Sequence, residues 1–176
     1  MIDIRAHIIN GLGCGPARFS ESLEMCRAAV AGGVREVVAT PLWRAGQKQP
    51  PLPLAEFERK VSELTEQLGG ALEIKTGFVF EFSTHLPGLV DLYGAGLALG
   101  GRDHLLISLP KTSVPAEAAG VWDGLARRGF SVVISSLECS LAFRRNLAVL
   151  DEWGAAGVKV QIDAAGVAGG YGREVQ

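Results

Sequence analysis

Short apolar runs that alternate with amphipathic helical stretches constrain this chain more than any other feature. Ile2 to Ile9, Val34 to Thr40 (VREVVAT), Leu72 to Phe82, His104 to Leu109 (HLLISL), Phe130 to Ser135 and Val158 to Ile162 each read as, or contain, a strand. Between them lie helical patterns. Ser20 stands at an N-cap position, and Leu23, Cys26, Ala29 and Val30 recur at helical spacing until Gly32-Gly33. Leu54 to Leu68 puts Phe57, Val61, Leu64 and Leu68 on one face and stops at Gly69-Gly70. His85 to Tyr93 reads as a short helix or turn, Pro115 to Arg128 as a helix ended by Gly129, and Leu141 to Ala156 as another. Strands separated by helices of about 10 to 15 residues imply βαβ units and a parallel sheet.

Composition narrows the classes. With 176 residues the chain is expected to form a single domain, 1–176. An apolar content of 48% supports a proper core, and a formal charge of −2 excludes the footprint of a nucleic-acid binder. No apolar run reaches the roughly 20 residues of a membrane span. No basic-then-apolar leader opens the chain. Three cysteines, Cys14, Cys26 and Cys139, without a C-x-x-C pair fit a reducing compartment, so the cytoplasm is expected.

The loop after the first strand, Gly11-Leu12-Gly13-Cys14-Gly15, departs from the dinucleotide fingerprint because Pro16 stands where its last glycine belongs. Its backbone amides still suit an anion. A wider pattern runs the length of the chain. It comprises Met1-Ile2-Asp3-Ile4, His7-Ile8, Gly15-Pro16, Ser22 to Met25, Ala28-Ala29-Val30 and Ala39-Thr40-Pro41. It continues with Leu86 to Leu89, Leu105-Leu106-Ile107, Leu109-Pro110, Gly129-Phe130, Gln161-Ile162 and Gly170-Tyr171-Gly172. In order and spacing this resembles the bacterial capsule-associated protein-tyrosine phosphatase branch of the PHP (polymerase and histidinol phosphatase) superfamily. The resemblance implies an α/β fold: a distorted (βα) barrel, here with about six βα units of the family's seven. It also implies a cluster of Mn, Fe or Zn-type ions at the strands' C-terminal ends that activates water for phosphotyrosine hydrolysis.

This chain departs from that pattern at the positions that matter. The His-x-His pair is Arg5-x-His7, and Asp-Asp-Gly is Gly13-Cys14-Gly15. Ala-Thr-Pro-His-His is Ala39-Thr40-Pro41-Leu42-Trp43, and Gly-x-Glu is Gly77-Phe78-Val79. His-Pro-Glu-Arg is Ser136-Leu137-Glu138-Cys139, and the Ser-Asp-Ala-His of a seventh strand does not appear before Gln176. Of the ligands only His7 clearly survives. No metal and no other cofactor are therefore expected, and the chain reads as an inactive pseudo-enzyme linked to capsule or exopolysaccharide regulation. The alternative is an active phosphohydrolase, a phosphotyrosine phosphatase that is metal-dependent like the family or reworked around Arg5, His7 and Glu138.

The ligand-binding candidates are Arg5, His7, Glu138 and Arg144. Arg5 can replace the cluster's charge and bind phosphate or carboxylate, or it can pair with an acid such as Glu138 or Asp163. His7 reads as a leftover core histidine before a ligand, and Arg144 as a solvated basic residue. His85 and His104 share no ligand spacing. Cys14 and Cys139 both sit in former active-site loops, and Trp43 reads as a core plug. The expected partners are an unknown protein or a small anionic ligand. With six strands, the apolar edge Val158 to Ile162 can pair with a second copy, a smaller barrel can close, or the tail Gly169 to Gln176 can cover the edge; of these, a homo-oligomer through the open edge is expected.

Overall fold

The computed structural model describes residues 1–144 and 147–172. Eight parallel strands form two hydrogen-bonded groups. β1 (Ile2–Ala6), β2 (Glu36–Ala39) and β4 (Glu73–Thr76) run in the order β1-β2-β4. β3 (Leu42–Trp43), β5 (Val79–Glu81), β6 (His104–Ser108), β7 (Ser131–Ser135) and β8 (Lys159–Gln161) run in the order β3-β5-β6-β7-β8. The groups are continuous. β2 leads into β3 across Thr40-Pro41, and β4 leads into β5 across Gly77-Phe78. Gly77 N–H donates to Ala39 O at 3.1 Å and Val79 N–H to Pro41 O at 3.2 Å, bridging the break. A Cβ at Gly77 would lie 3.0 Å from Val38 Cγ1, so glycine permits this bend. The six strand segments expected from sequence are thus six successive staves, the second and third each bent once.

A flat sheet of six strands would hold its edges about 24 Å apart. Here Arg5, near the end of β1, touches Asp163, two residues past β8. The sheet therefore curls until its edges face each other. Among the described residues β1 pairs only with β2 and β8 only with β7, which leaves a seam between them.

The seven helices are α1 (Phe19–Ala31), α2 (Leu54–Gln67), α3 (Leu86–Tyr93), α4 (Ala118–Ala126), α5 (Leu141–Arg144), α6 (Ala148–Ala155) and α7 (Ala164–Val167). Alternation along the strands sorts the core into two layers. Val37, Ala39, Leu105, Ile107, Val132 and Ile134 join the large cluster shared with the helices. Val38, Leu106 and Val133 point the other way, into a small cluster with Val79 and Leu99. Both faces of β6 and β7 are buried, as in helix-covered parallel sheets.

Two local expectations change. Ser20 is not the cap of α1: Phe19 already begins the helix, and the Glu21 carboxylate accepts the N–H groups of Ala17 and Arg18 at 3.0 and 3.1 Å. Of the expected Leu141 to Ala156 helix the described residues show α5 and α6, and residues 145 and 146 lie outside them. Trp43 is a core residue, 1% exposed, its ring against Phe78, Phe80 and Tyr93 and its Nε1 donating to Gln47 O at 2.9 Å. No described helix is long and apolar enough to cross a membrane.

Candidate functional site

Parallel strands bring their C-terminal ends to one rim. Four of them converge here. β1 carries Arg5 and leads to His7. β2 leads to Thr40. β7 ends at Ser135 and turns through Ser136, whose φ of 50° is left-handed, into a 3₁₀ turn with Glu138 and Cys139. β8 leads to Asp163, which caps α7.

Arg5 Nη1 donates to both Asp163 oxygens, at 3.1 Å each, with both side chains about three-quarters buried or more. Its Nε is buried and has no partner, so half of the guanidinium fork is unused. Asp163 also accepts from Ser136 Oγ at 2.9 Å, Gln161 Nε2 at 2.8 Å and Tyr171 OH at 3.4 Å. Burial pushes its carboxyl pKa up. The donors Gln161, Ser136 and Arg5 outweigh that and hold it below the ordinary value. Arg5 thus pairs with Asp163 and not with Glu138.

Glu138 Oε1 accepts the Asp163 N–H at 3.1 Å and the Cys139 thiol at 3.9 Å, whereas Oε2 is buried without a partner. Gly166 lets α7 lie against this side chain, since a Cβ there would stand 3.0 Å from Glu138 Cγ. The Cys139 thiol is pushed up by burial, then by Glu138 and Asp163, so it stays protonated at neutral pH and is a poor nucleophile.

His7 Nδ1 lies 2.8 Å from Thr40 O. A carbonyl oxygen only accepts, so Nδ1 carries the ring proton and Nε2 keeps its lone pair when the ring is neutral. Burial, then the Arg5 charge, lower the His7 pKa and favour that neutral form. His7 and Cys14 line one cavity of about 360 Å³, and Cys139 and Asp163 line another of about 280 Å³. Arg5 lines both. The two cysteines are free. The second cavity also presents Lys111 and Ser135, whose buried hydroxyl has no partner.

The structure therefore gathers Arg5 and Glu138 around Asp163 and sets His7 on the other side of Arg5. Arg144 ends α5, and its side chain lies outside what is described. Sequence reasoning named Asp163 only as one possible partner of Arg5. It missed the roles of Ser135, Ser136, Lys111, Gln161 and Tyr171. For four of them the signal was positional, at a strand end or just past it, whereas Tyr171 lies beyond α7.

The family description for capsular polysaccharide synthesis, CpsB/CapC, matches residues 1–176. The chain belongs to the CpsB/CapC family. Tyrosine-protein phosphatase YwqE of Bacillus subtilis is 30% identical over 187 residues, covering 100% of this chain and 69% of YwqE. CapC of Staphylococcus aureus is 25% identical over 182 residues, with 100% and 69% covered. A chain from the crystal structures of YwqE and of CpsB from Streptococcus pneumoniae superposes with a TM-score of 0.86 at 26% identity, over 99% of this chain and 71% of that one. Those two proteins are described as unique metal-dependent tyrosine phosphatases. The capsule-associated branch indicated by the sequence motifs is thereby shown, as is its α/β fold.

The expectation of no metal cofactor is corrected by these findings. YwqE and CpsB, to which 99% of this chain is matched in structure, are described as metal-dependent, and Glu138, Cys139 and Asp163 bring ligand atoms within 4.8 Å of one another. The sequence argument failed because it counted only the family's imidazole and carboxylate positions. Cys139 occupies an arginine position and Asp163 lies outside the motifs. The donor set fits an ion: Glu138 Oε2 is an orphaned buried carboxylate oxygen, and the sulfur suits zinc-like ions.

Proposed function

We propose that this chain is a CpsB/CapC member that recognises a phosphate-class anion at the C-terminal rim and holds a divalent ion there, with phosphotyrosine turnover lost. The observation that carries the reading is Arg5. Its guanidinium stands at a former ligand position, clamped by Asp163, with a buried Nε and the Ser135 hydroxyl still unfilled beside a polar cavity. Glu138, Cys139 and Asp163 are the residues that would hold the ion, with His7 Nε2 as a further neutral donor. When bound, a divalent ion supplies charge for anionic oxygens and lowers the pKa of water. Asp163 has most of its lone pairs committed to Arg5, Ser136, Gln161 and Tyr171, so it is poorly placed to serve as a base. The proposed setting is the cytoplasm, in capsule or exopolysaccharide regulation, as the family membership and free cysteines support.

An active phosphohydrolase is the second reading. It is favoured by the neutral His7 imidazole and the orphaned Glu138 oxygen, either of which suits a general base. The deciding experiment is hydrolysis of a phosphotyrosine peptide with manganese present, run beside phosphate binding by calorimetry. Saturable phosphate binding with hydrolysis at the blank level is expected. Hydrolysis above blank that falls on changing His7→Ala or Glu138→Gln would replace the first reading by the second.

A further inference from the structure

The N-terminal end of the barrel carries a second, unrelated cavity of about 580 Å³. Its walls are Ile2 and Ile4 of β1 and Val160 of β8, and deeper in lie Val38, Leu99 and Val133. The last three belong to the small inner core, so the cavity opens onto the barrel's own apolar interior. Leu99 comes from the 3₁₀ turn before β6. Ile2 is 58% exposed and Val160 43%, because the seam between β1 and β8 lies there.

The polar groups at its mouth are arranged asymmetrically. Asp103, His104 and Lys159 form a chain: His104 Nδ1 to Asp103 Oδ1 at 2.7 Å and His104 Nε2 to Lys159 Nζ at 2.7 Å. A lysine ammonium only donates, so Nε2 accepts, and Nδ1–H donates to Asp103. In this arrangement the ring positions the ammonium without contributing an opposite charge. Lys75 is taken by Glu36 at 2.8 Å and Glu73 at 3.4 Å. Arg102 makes no ion pair among the described residues. The acids at this mouth are thus engaged in direct contacts with other groups, and Lys159, which Asp103 meets only at longer range, and Arg102 border an apolar hole without a direct ion pair among the described residues.

We infer that this cavity is a binding site for a free, single-chain amphiphile with an anionic head, the chain lying between Ile4, Leu99 and Val133 and the head meeting Arg102 and Lys159. The volume lies in the range of small-molecule sites, which are mostly apolar with a few placed polar groups. A compact polar anion would leave the apolar walls unused. A second copy pairing β8 with β8 about a two-fold axis would set Lys159 near its own duplicate, which is unfavourable.

The test is calorimetric titration of the whole chain with dodecanoate below its micelle concentration, alongside decanoate, dodecanol and acetate. One dodecanoate per chain is expected. Decanoate should bind about tenfold more weakly, since two methylenes are lost. Acetate should not bind measurably. Arg102→Ser with Lys159→Met should weaken dodecanoate about tenfold or more and leave dodecanol unchanged. Val160→Asp, at a half-exposed edge, should weaken both. Circular dichroism reports whether each variant is folded, and phosphate binding at the Arg5 rim should be untouched. Equal affinity for dodecanoate and dodecanol, no saturable binding, binding only to phosphatidylglycerol vesicles, or a doubled mass that excludes dodecanoate would each overturn the inference.

Discussion

The two ends of the barrel are built on opposite plans. At the C-terminal rim the edges β1 and β8 are tied by Arg5 and Asp163, the polar groups converge on one carboxylate, and Trp43 plugs the neighbouring staves. At the N-terminal end the same edges part, apolar side chains meet solvent, and among the described residues neither Arg102 nor Lys159 makes a direct ion pair, Lys159 reaching Asp103 only through His104. One rim is a polar network in which few groups are spare, and the other an apolar hole with charge at its lip. The difference teaches that closure of the seam depends on a cross-seam pair and not on strand hydrogen bonds, since β1 and β8 share none among the described residues.

The largest effect that separates the ends is steric. Trp43→Ala should cost about 3 to 5 kcal/mol, as large aromatic deletions do, whereas Ile2→Ala at the other end should cost under about 1 kcal/mol because Ile2 is already 58% exposed. Urea denaturation measures both. Similar costs would dissolve the contrast.

Next comes the cross-seam pair. Asp163→Ala leaves Arg5 partly buried and unpaired. Fully buried pairs lose about 3 to 5 kcal/mol on such a change. Residual exposure of 26% and 19% reduces this to about 2 kcal/mol, a melting temperature lower by about 4 to 8 °C. The double change Arg5→Met with Asp163→Leu should recover most of it, and a double-mutant cycle checks this. Lys159→Met at the opposite end should shift the melting temperature by less than about 2 °C.

Metal sharpens the comparison further. Saturating manganese or zinc should raise the melting temperature of the native chain, by an amount that grows with the logarithm of ion concentration. Glu138→Gln should reduce the bound ion measured by elemental mass spectrometry by at least about tenfold. Arg102→Ser should leave it unchanged.

The smallest effect lies on the helices between the ends. Arg128 donates to Asp91 through Nε and Nη2, at 2.7 Å each, joining α4 to α3. That hydrogen bonding holds the Asp91 carboxyl below its ordinary value. A depressed folded pKa stabilises above the unfolded carboxylate value of about 3.9 and loses this as pH falls through the folded pKa. Arg128→Met should therefore lower the melting temperature slightly at pH 7, and the gap should narrow toward pH 2. A constant gap would mean that the arginine acts by packing alone.

Much of the wall was legible in the sequence. Each of the six apolar runs holds a strand, most plainly the inner β6 and β7, whose β-branched residues and leucines are buried on both faces, whereas β3 (Leu42–Trp43) falls in the proline-rich stretch after Thr40 that reads as a loop. The capping of α1 was misread because the helix begins one residue before Ser20, with Arg18 at the N-cap and the Glu21 carboxylate reaching back to the Ala17 and Arg18 amides. At the rim, Arg5, His7 and Glu138 were found from motif positions. Ser136, Gln161 and Tyr171 were not, because their positions in the chain do not show that all three donate to one carboxylate, Asp163.

The sequence by itself determined that the chain is a parallel βα assembly of the CpsB/CapC kind and that Arg5, Leu42 and Trp43 stand where imidazoles are expected. These follow from periodicity and residue identity, which are local. Only the tertiary structure decided that Arg5 meets Asp163 and not Glu138, that Cys139 joins two carboxylates as a set of metal donors, and that Arg102 and Lys159 flank an apolar cavity. Those outcomes depend on how far the sheet curls before its edges face each other. The curl is set by the packing of the helices and strands together, and no window of sequence contains it.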